Sequence, residues 1–262
     1  MAKKNVVGMC RLCLKRKILC KSHYIGRGIH ILNRQDGEDP ILMTPKVILA
    51  TQRQLWAHLL CNECEERLNK YGETPTMRWL DNGKAFPLLE RMNVAHPIKE
   101  ENGVVTFSGS AMGVDTEPFG HFVLGLMWKG AVRQWPTAEG QTTSIELGDF
   151  GEPVRKYLLG GAPFPKHVYV LLAVCDDKGS RGMVFAPTLM KETKHQMFSV
   201  LVRGLWFHVI ADKKASAGNR ALCCVQSDKK VIHLENCEKR FLHAGGHIHK
   251  IARVAPNVRK KS

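Results

Sequence analysis

At 262 residues, with 44% hydrophobic and 24% charged side chains, the chain has the makeup of a globular protein with a sizeable core, not of a disordered or fibrous one. Its formal net charge of +15 points to polyanionic partners, because each phosphate that meets a lysine or arginine releases condensed counterions. The most apolar stretches, around 119–127 and 168–174, are too short to span a bilayer, so no membrane role is expected. The segment from Met1 to Gly8 lacks the apolar run of a signal peptide, which leads to the expectation of a cytoplasmic chain with reduced thiols.

Residues 1–80 are rich in Cys, His and basic side chains. Cys10 to Lys21 reads as a basic zinc-knuckle turn leading into a short strand. Residues 22–35 read as a loop, broken by Gly26 and Gly28, and residues 36–40 as an exposed turn. Around Leu59 the pattern becomes helical, with Cys61, Cys64, Leu68 and Tyr71 at three- and four-residue steps; Gly72 and Pro75 are expected to end that helix. A second helix is predicted over 118–135. Its apolar face is Phe119, Phe122, Val123, Leu126 and Met127, with Lys129 and Arg133 near the end where the helix dipole favours cations. Pro, Gly and Thr between 136 and 143 mark a connection.

The remainder reads mainly as strand. Residues 167–175 form a continuous apolar run suited to a strand covered on both faces. Further strands are predicted over 183–186, 197–202, 205–210, 221–226 and 231–234. Gly204 suggests a bulge or tight turn, and residues 227–230 a hairpin connection. The tail from Arg253 is basic. The expected organisation is α+β: a small zinc-stabilised module over 1–80, a helical connector over 81–150, and a mainly antiparallel β-rich domain with a basic tail over 151–262.

The most specific motif is Cys10-x2-Cys13 followed, after 47 intervening residues, by Cys61-x2-Cys64. Two such pairs supply tetrahedral thiolate ligation of Zn2+, one on a knuckle and one at a helix start. A competing set uses Cys10, Cys13, Cys20 and His23 as a self-contained Cys3His site, which leaves the second pair without a role. His243, His247 and His249 near Cys237 resemble a second cluster but fit a linker equally well. Cys223 and Cys224 sit in an apolar pattern and read as packed thiols. Gly160-Gly161-Ala162-Pro163 lacks the Lys-Ser/Thr of a phosphate loop.

Cys10-Arg-Leu-Cys13, Ser22-His23-Tyr24-Ile25 and Leu59-Leu60-Cys61-Asn62-Glu63-Cys64-Glu65 together resemble the zinc-bearing branch of the HNH (ββα-metal, or His-Me finger) endonucleases. The resemblance covers roughly residues 9–73. It implies a ββα-metal fold for this module, His23 as general base for water attacking a phosphodiester, and a catalytic Mg2+ or Mn2+ beside it. Ser22 stands where that family usually has a metal-binding Asp, a departure that removes a hard oxygen ligand. Glu65 stands where the family commonly has His or Asn and restores one. Asn69, four residues on, would orient substrate or metal, and Arg67 and Lys70 would contact the nucleic-acid backbone. The context implied is bacterial nucleic-acid defence.

Lys15, Arg16, Lys17, Lys21 and Arg27 lie close in sequence to His23 and form a basic rim suited to a phosphodiester, with DNA expected ahead of RNA. A second reading keeps the zinc module but not the catalysis. There His23 is a loop histidine, Glu65 an ordinary helix-start carboxylate, and the protein a nucleic-acid-binding or adaptor subunit that meets a protein partner through its C-terminal region.

Overall fold

The computed structural model describes residues 5–35, 41–43, 48–50, 54–136, 142–181, 183–190, 196–214 and 217–236. Strands β1 (Val6–Met9) and β2 (Arg16–His23) form a hairpin, followed by helix α1 (Arg27–Gln35) and the short strands β3 (Ile41–Met43) and β4 (Ile48–Ala50). Strand β5 (Trp56–Cys61) pairs antiparallel with β2, placing Trp56 opposite His23 and Cys61 opposite Leu19. Then come α2 (Asn62–Leu68), a π-helical turn (Asn69–Glu73), α3 (Thr74–Met77) and α4 (Pro87–Asn93).

The expected loop over 22–35 is α1 from Arg27 onward. Ile29 is buried and Leu32 half-buried on one side, so tertiary packing outweighs the propensity cost of Gly28. At the other end, Leu59 and Leu60 belong to β5, and the helix begins only at Asn62. Nor do Gly72 and Pro75 stop it. Gly72 lies in the π turn, where a Cβ would meet the Phe122 backbone at 2.9 Å, and Pro75 occupies the first turn of α3, where its missing N–H is harmless.

Strands β6 (Lys99–Glu101) and β7 (Val104–Ser108) precede helix α5 (Glu117–Ala131). Residues 81–150 are thus not purely helical. Strands β8 (Trp135–Pro136) and β9 (Thr142–Thr143) pair across the expected connection, and α6 (Gly151–Leu158) follows. The last elements are β10 (Val168–Cys175), α7 (Lys178–Arg181), β11 (Val184–Met190), β12 (Gln196–Val202), β13 (Leu205–Ala211), α8 (Ala217–Ala221) and β14 (Val231–Glu235).

Nine strands join in one sheet, in the order β4-β3-β11-β12-β13-β10-β14-β7-β6. Its pairs are antiparallel except β10 with β14 and β11 with β3. Strands from all three sequence segments therefore share a sheet in this mixed α and β protein. Arg203 and Gly204, with φ of +48° and +82°, make the tight turn between β12 and β13, which matches the right-handed strand twist. The predicted strand over 221–226 is absent: Val225 makes only an isolated bridge to Val170, and β14 enters the sheet beside β10 and β7. Residues 227–230 are accordingly a turn but not a hairpin connection.

Helix α5 is the centre of the core. Twelve of its 15 residues are buried, which makes it a core helix instead of one with a single apolar face. Phe119 and Phe122 meet Phe207 of β13, with ring centroids 6.2 and 6.0 Å apart. Toward its C-terminal end α5 meets the N-terminal residues: Gly130 abuts the Tyr24 ring, which stacks on Trp135 at 4.8 Å. This docking carries the end of α5 to the site described next.

Candidate functional site

The β1–β2 turn brings Cys10 and Cys13 to the junction of β5 and α2, where Cys61 and Cys64 sit. The four Sγ atoms all lie within 4.8 Å of one another, and Cys13 and Cys61 are 3.9 Å apart. Four thiolates about 2.3 Å from one tetrahedral ion stand about 3.8 Å apart, so the set is spaced for zinc. Leu14, with φ of +59°, turns the knuckle, and its N–H donates to the Cys10 carbonyl at 2.9 Å. Arg155 of α6 fastens the same turn through the Leu12 carbonyl at 2.8 Å. Burial pushes the Cys10 thiol up, but backbone hydrogen bonds from Cys13, Cys61 and Leu12 outweigh it and bring the value to about 7. Burial raises Cys61 and Cys64, the cost that a bound cation would offset. Cys20 stands outside this set and donates its S–H to the Leu60 carbonyl at 3.2 Å. The Cys3His alternative is therefore not assembled.

Ser22 points inward from β2. It is fully buried, and its Oγ accepts the Leu60 N–H at 3.1 Å, a bond that ties β2 to β5. His23, the next residue, is half-buried at the strand end and hydrogen-bonded to the Gln54 side chain. Its pKa is lowered, first by burial, then by the charges of Lys129 and Arg27, against the opposing pull of Glu65. His23 and Glu65, distant in sequence, are thus near enough for the charge of one to act on the other.

Two further residues lie within reach of these charges, and neither was among the sequence candidates. Lys129 Nζ lies 3.0 Å from Glu65 Oε1, with the side chains 5% and 16% exposed. Glu73 is the second. Burial raises its pKa, Glu65 adds to the rise, and Lys129 opposes it. A Cβ at Gly26 would overlap the Glu73 carboxylate, so the glycine is what lets the acid approach the backbone there. In a regular α-helix an eight-residue step drifts about 80° around the axis. The wider π turn takes back part of that drift and brings Glu73 nearer the helix face that carries Glu65. Asn69, half-buried, opens the π turn between them.

Signals for both existed in the sequence. Glu65, Asn69 and Glu73 repeat at four residues, and Lys129 sits at the helical i+7 position from Phe122, on an apolar stripe where a cation needs an acid partner.

The basic candidates divide. Lys15, Arg16, Lys21, Arg27 and Lys70 are exposed, with Lys21 stacked over Trp56 at 4.1 Å. Lys17 is ion-paired with Glu63. Arg67 is structural: its Nε donates to the Leu158 carbonyl at 2.8 Å and its guanidinium lies over Tyr71 at 4.7 Å. Cys223 and Cys224 are buried thiols, as their apolar pattern suggests, whereas Cys175 is disulfide-bonded where reduced thiols were expected. The His243, His247 and His249 cluster, Cys237, the expected turn at 36–40 and the basic tail fall outside the described residues.

Among the described residues, the four cysteines are the only group of three or more His, Cys, Asp or Glu side chains converging at ligand distance. Beside His23, the Ser22 hydroxyl is engaged by Leu60 and an ammonium lies against one oxygen of Glu65, whose other oxygen is buried without a hydrogen-bond partner among the described residues. No helix among the described residues is long and apolar enough to cross a membrane. No family model, curated protein or solved structure matches this chain.

Proposed function

We propose that this chain is a nucleic-acid phosphodiesterase of the HNH-like kind, with one structural zinc on Cys10, Cys13, Cys61 and Cys64 and with His23 as its general base. One observation carries the reading. A half-buried imidazole, biased toward its neutral form by burial and by Lys129, stands at the end of a strand braced by four convergent thiols. A neutral imidazole accepts a proton from water as that water attacks phosphorus. The neighbouring charges of Lys129 and Arg27 favour the phosphodiester anion and the negative charge that develops on its oxygens. Exposed Lys15, Arg16, Lys21 and Lys70 suit contacts to more distant phosphates, which position a strand without reading its sequence. The zinc takes no part in the chemistry; it fixes the end of β2 against the start of α2.

The test is cleavage of supercoiled plasmid and of single-stranded RNA by zinc-loaded protein, beside His23→Ala. The wild type is expected to nick and the variant to lose at least about 100-fold in rate. The wild-type rate should rise with pH through a midpoint below the ordinary histidine value of 6.5. One observation favours a second reading, a nucleic-acid-binding or adaptor module without cleavage. The Ser22 hydroxyl and one oxygen of Glu65 are engaged internally, by Leu60 and Lys129. Equal binding of DNA by wild type and variant, with both leaving every substrate intact, decides for that reading.

A further inference from the structure

Lys129 places a cation of the protein's own against Glu65, within electrostatic reach of His23 and Glu73. This inference rests on the phosphodiesterase reading and concerns what supplies positive charge there. A divalent ion would need oxygen ligands with free lone pairs arranged around it. One oxygen of Glu65 holds the Lys129 ammonium at 3.0 Å, while its other oxygen is buried without a hydrogen-bond partner among the described residues; the charge of the ammonium also reaches Glu73 and His23. Lys129 is not a mobile surface side chain that an ion could push aside. Its carbonyl accepts the Trp135 Nε1–H at 2.8 Å, and the next residue, Gly130, abuts the Tyr24 ring. Both anchors fix the helix end from which the side chain projects. Burial of a lysine is costly unless its charge is matched, and here the Glu65 carboxylate matches it.

We propose that Lys129 is the resident cation of the His23 site, standing where a divalent ion would otherwise sit, so that the site takes a phosphodiester without Mg2+ or Mn2+. An ammonium has three N–H donors, and the bond to Glu65 uses one. The remaining donor capacity suits a phosphate oxygen. Lys129 thereby supplies the charge neutralisation usually assigned to a metal, as a point charge fixed by the fold.

Manganese is the probe. Full-length, zinc-loaded protein is titrated with Mn2+ while the ring signals of His23 are followed for paramagnetic broadening and the zinc content is monitored. In the wild type, millimolar Mn2+ leaves the His23 signals sharp. Lys129→Met removes the ammonium and leaves the carboxyl groups of Glu65 and Glu73 without its charge. That variant gains a Mn2+ site beside His23, at an affinity roughly tenfold or more above the wild type. Broadening of His23 in the wild type at micromolar Mn2+ overturns the proposal, as does a folded, zinc-bound Lys129→Met that gains no site. If Lys129→Met does not fold, the wild-type titration decides alone. The readout does not depend on turnover. A protein that cleaves nothing refutes the phosphodiesterase reading and leaves the resident cation to be judged by manganese.

Discussion

The ammonium of Lys129 lies 3.0 Å from a carboxylate oxygen of Glu65, linking the end of a core helix to the residue directly after the last clustered cysteine. Both side chains are shielded from water, so each depends on the other for charge compensation. Removing one partner leaves a buried charge unmatched, which typically costs about 3–5 kcal/mol. Lys129→Met and Glu65→Gln are each expected to lower stability on that scale in denaturant unfolding. The double variant should lose clearly less than the sum of the two, because neither charge is then stranded. Additive losses would mean that the two groups do not interact.

One zinc per chain is expected by metal analysis, and Cys64→Ser should abolish it. The site joins residues far apart in sequence, so its loss should unfold the β1–β2–β5 region, at an apparent cost on the order of 10 kcal/mol of metal-binding free energy. Cys20→Ser separates the two possible ligand sets. Its thiol lies outside the cluster and bonds the Leu60 carbonyl, so this variant should keep its zinc. Loss of zinc from Cys20→Ser would point instead to the set that includes His23.

Much of this was legible in the sequence, and what was missed shares a physical cause. The two Cys-x2-Cys pairs carry their geometry in their spacing, and the runs read as strands over 167–175, 197–202 and 205–210 are β10, β12 and β13, short and rich in β-branched and aromatic residues as buried strands are. Gly26 and Gly28 read as breakers, yet they are places where Glu73 and Met77 approach the backbone, a fact fixed by partners dozens of residues away. Gly72 and Pro75 read as a helix end, yet the chain coils on because Gly72 lets α5 come close. Lys129 looked like a dipole-favoured helix end. Its pairing with Glu65 spans 64 residues, and no local rule reaches that far. Local pattern thus fixed elements and ligands, while non-local approach assembled the site.

Ser22 has a structural task that the substitution of an acid cannot share. Its hydroxyl satisfies the Leu60 N–H inside the β2–β5 pairing. Ser22→Ala should remain folded and zinc-bound but lose about 1–3 kcal/mol, the cost of a stranded buried N–H. Ser22→Asp, which places the acid of the HNH pattern there, should be worse, since it forces a carboxylate into a fully buried position, and it should not create a Mn2+ site. A Ser22→Ala protein as stable as wild type would show that the hydrogen bond contributes nothing.

His121 predicts how the fold responds to acid. It lies buried on α5 between the rings of Tyr71 and Tyr157, at centroid distances of 5.9 and 5.5 Å. Burial, aided by the charge of Arg67, holds its pKa down to about 4. The Leu158 carbonyl favours the charged ring but is already bonded to Arg67 Nε at 2.8 Å. An unfolded histidine titrates near 6.5. As pH falls, the unfolded chain therefore takes up this proton first, and stability that is complete above about pH 6.5 drains away on the path to about pH 4. A gap of that width corresponds to about 3 kcal/mol. His121→Phe keeps a ring between the two tyrosines and removes the titration. The difference between the wild-type and His121→Phe stability curves, measured by urea unfolding at several pH values, should therefore widen steadily from pH 6.5 to 4 in favour of the variant. Parallel curves across that window would show that His121 takes up its proton equally well in the folded chain.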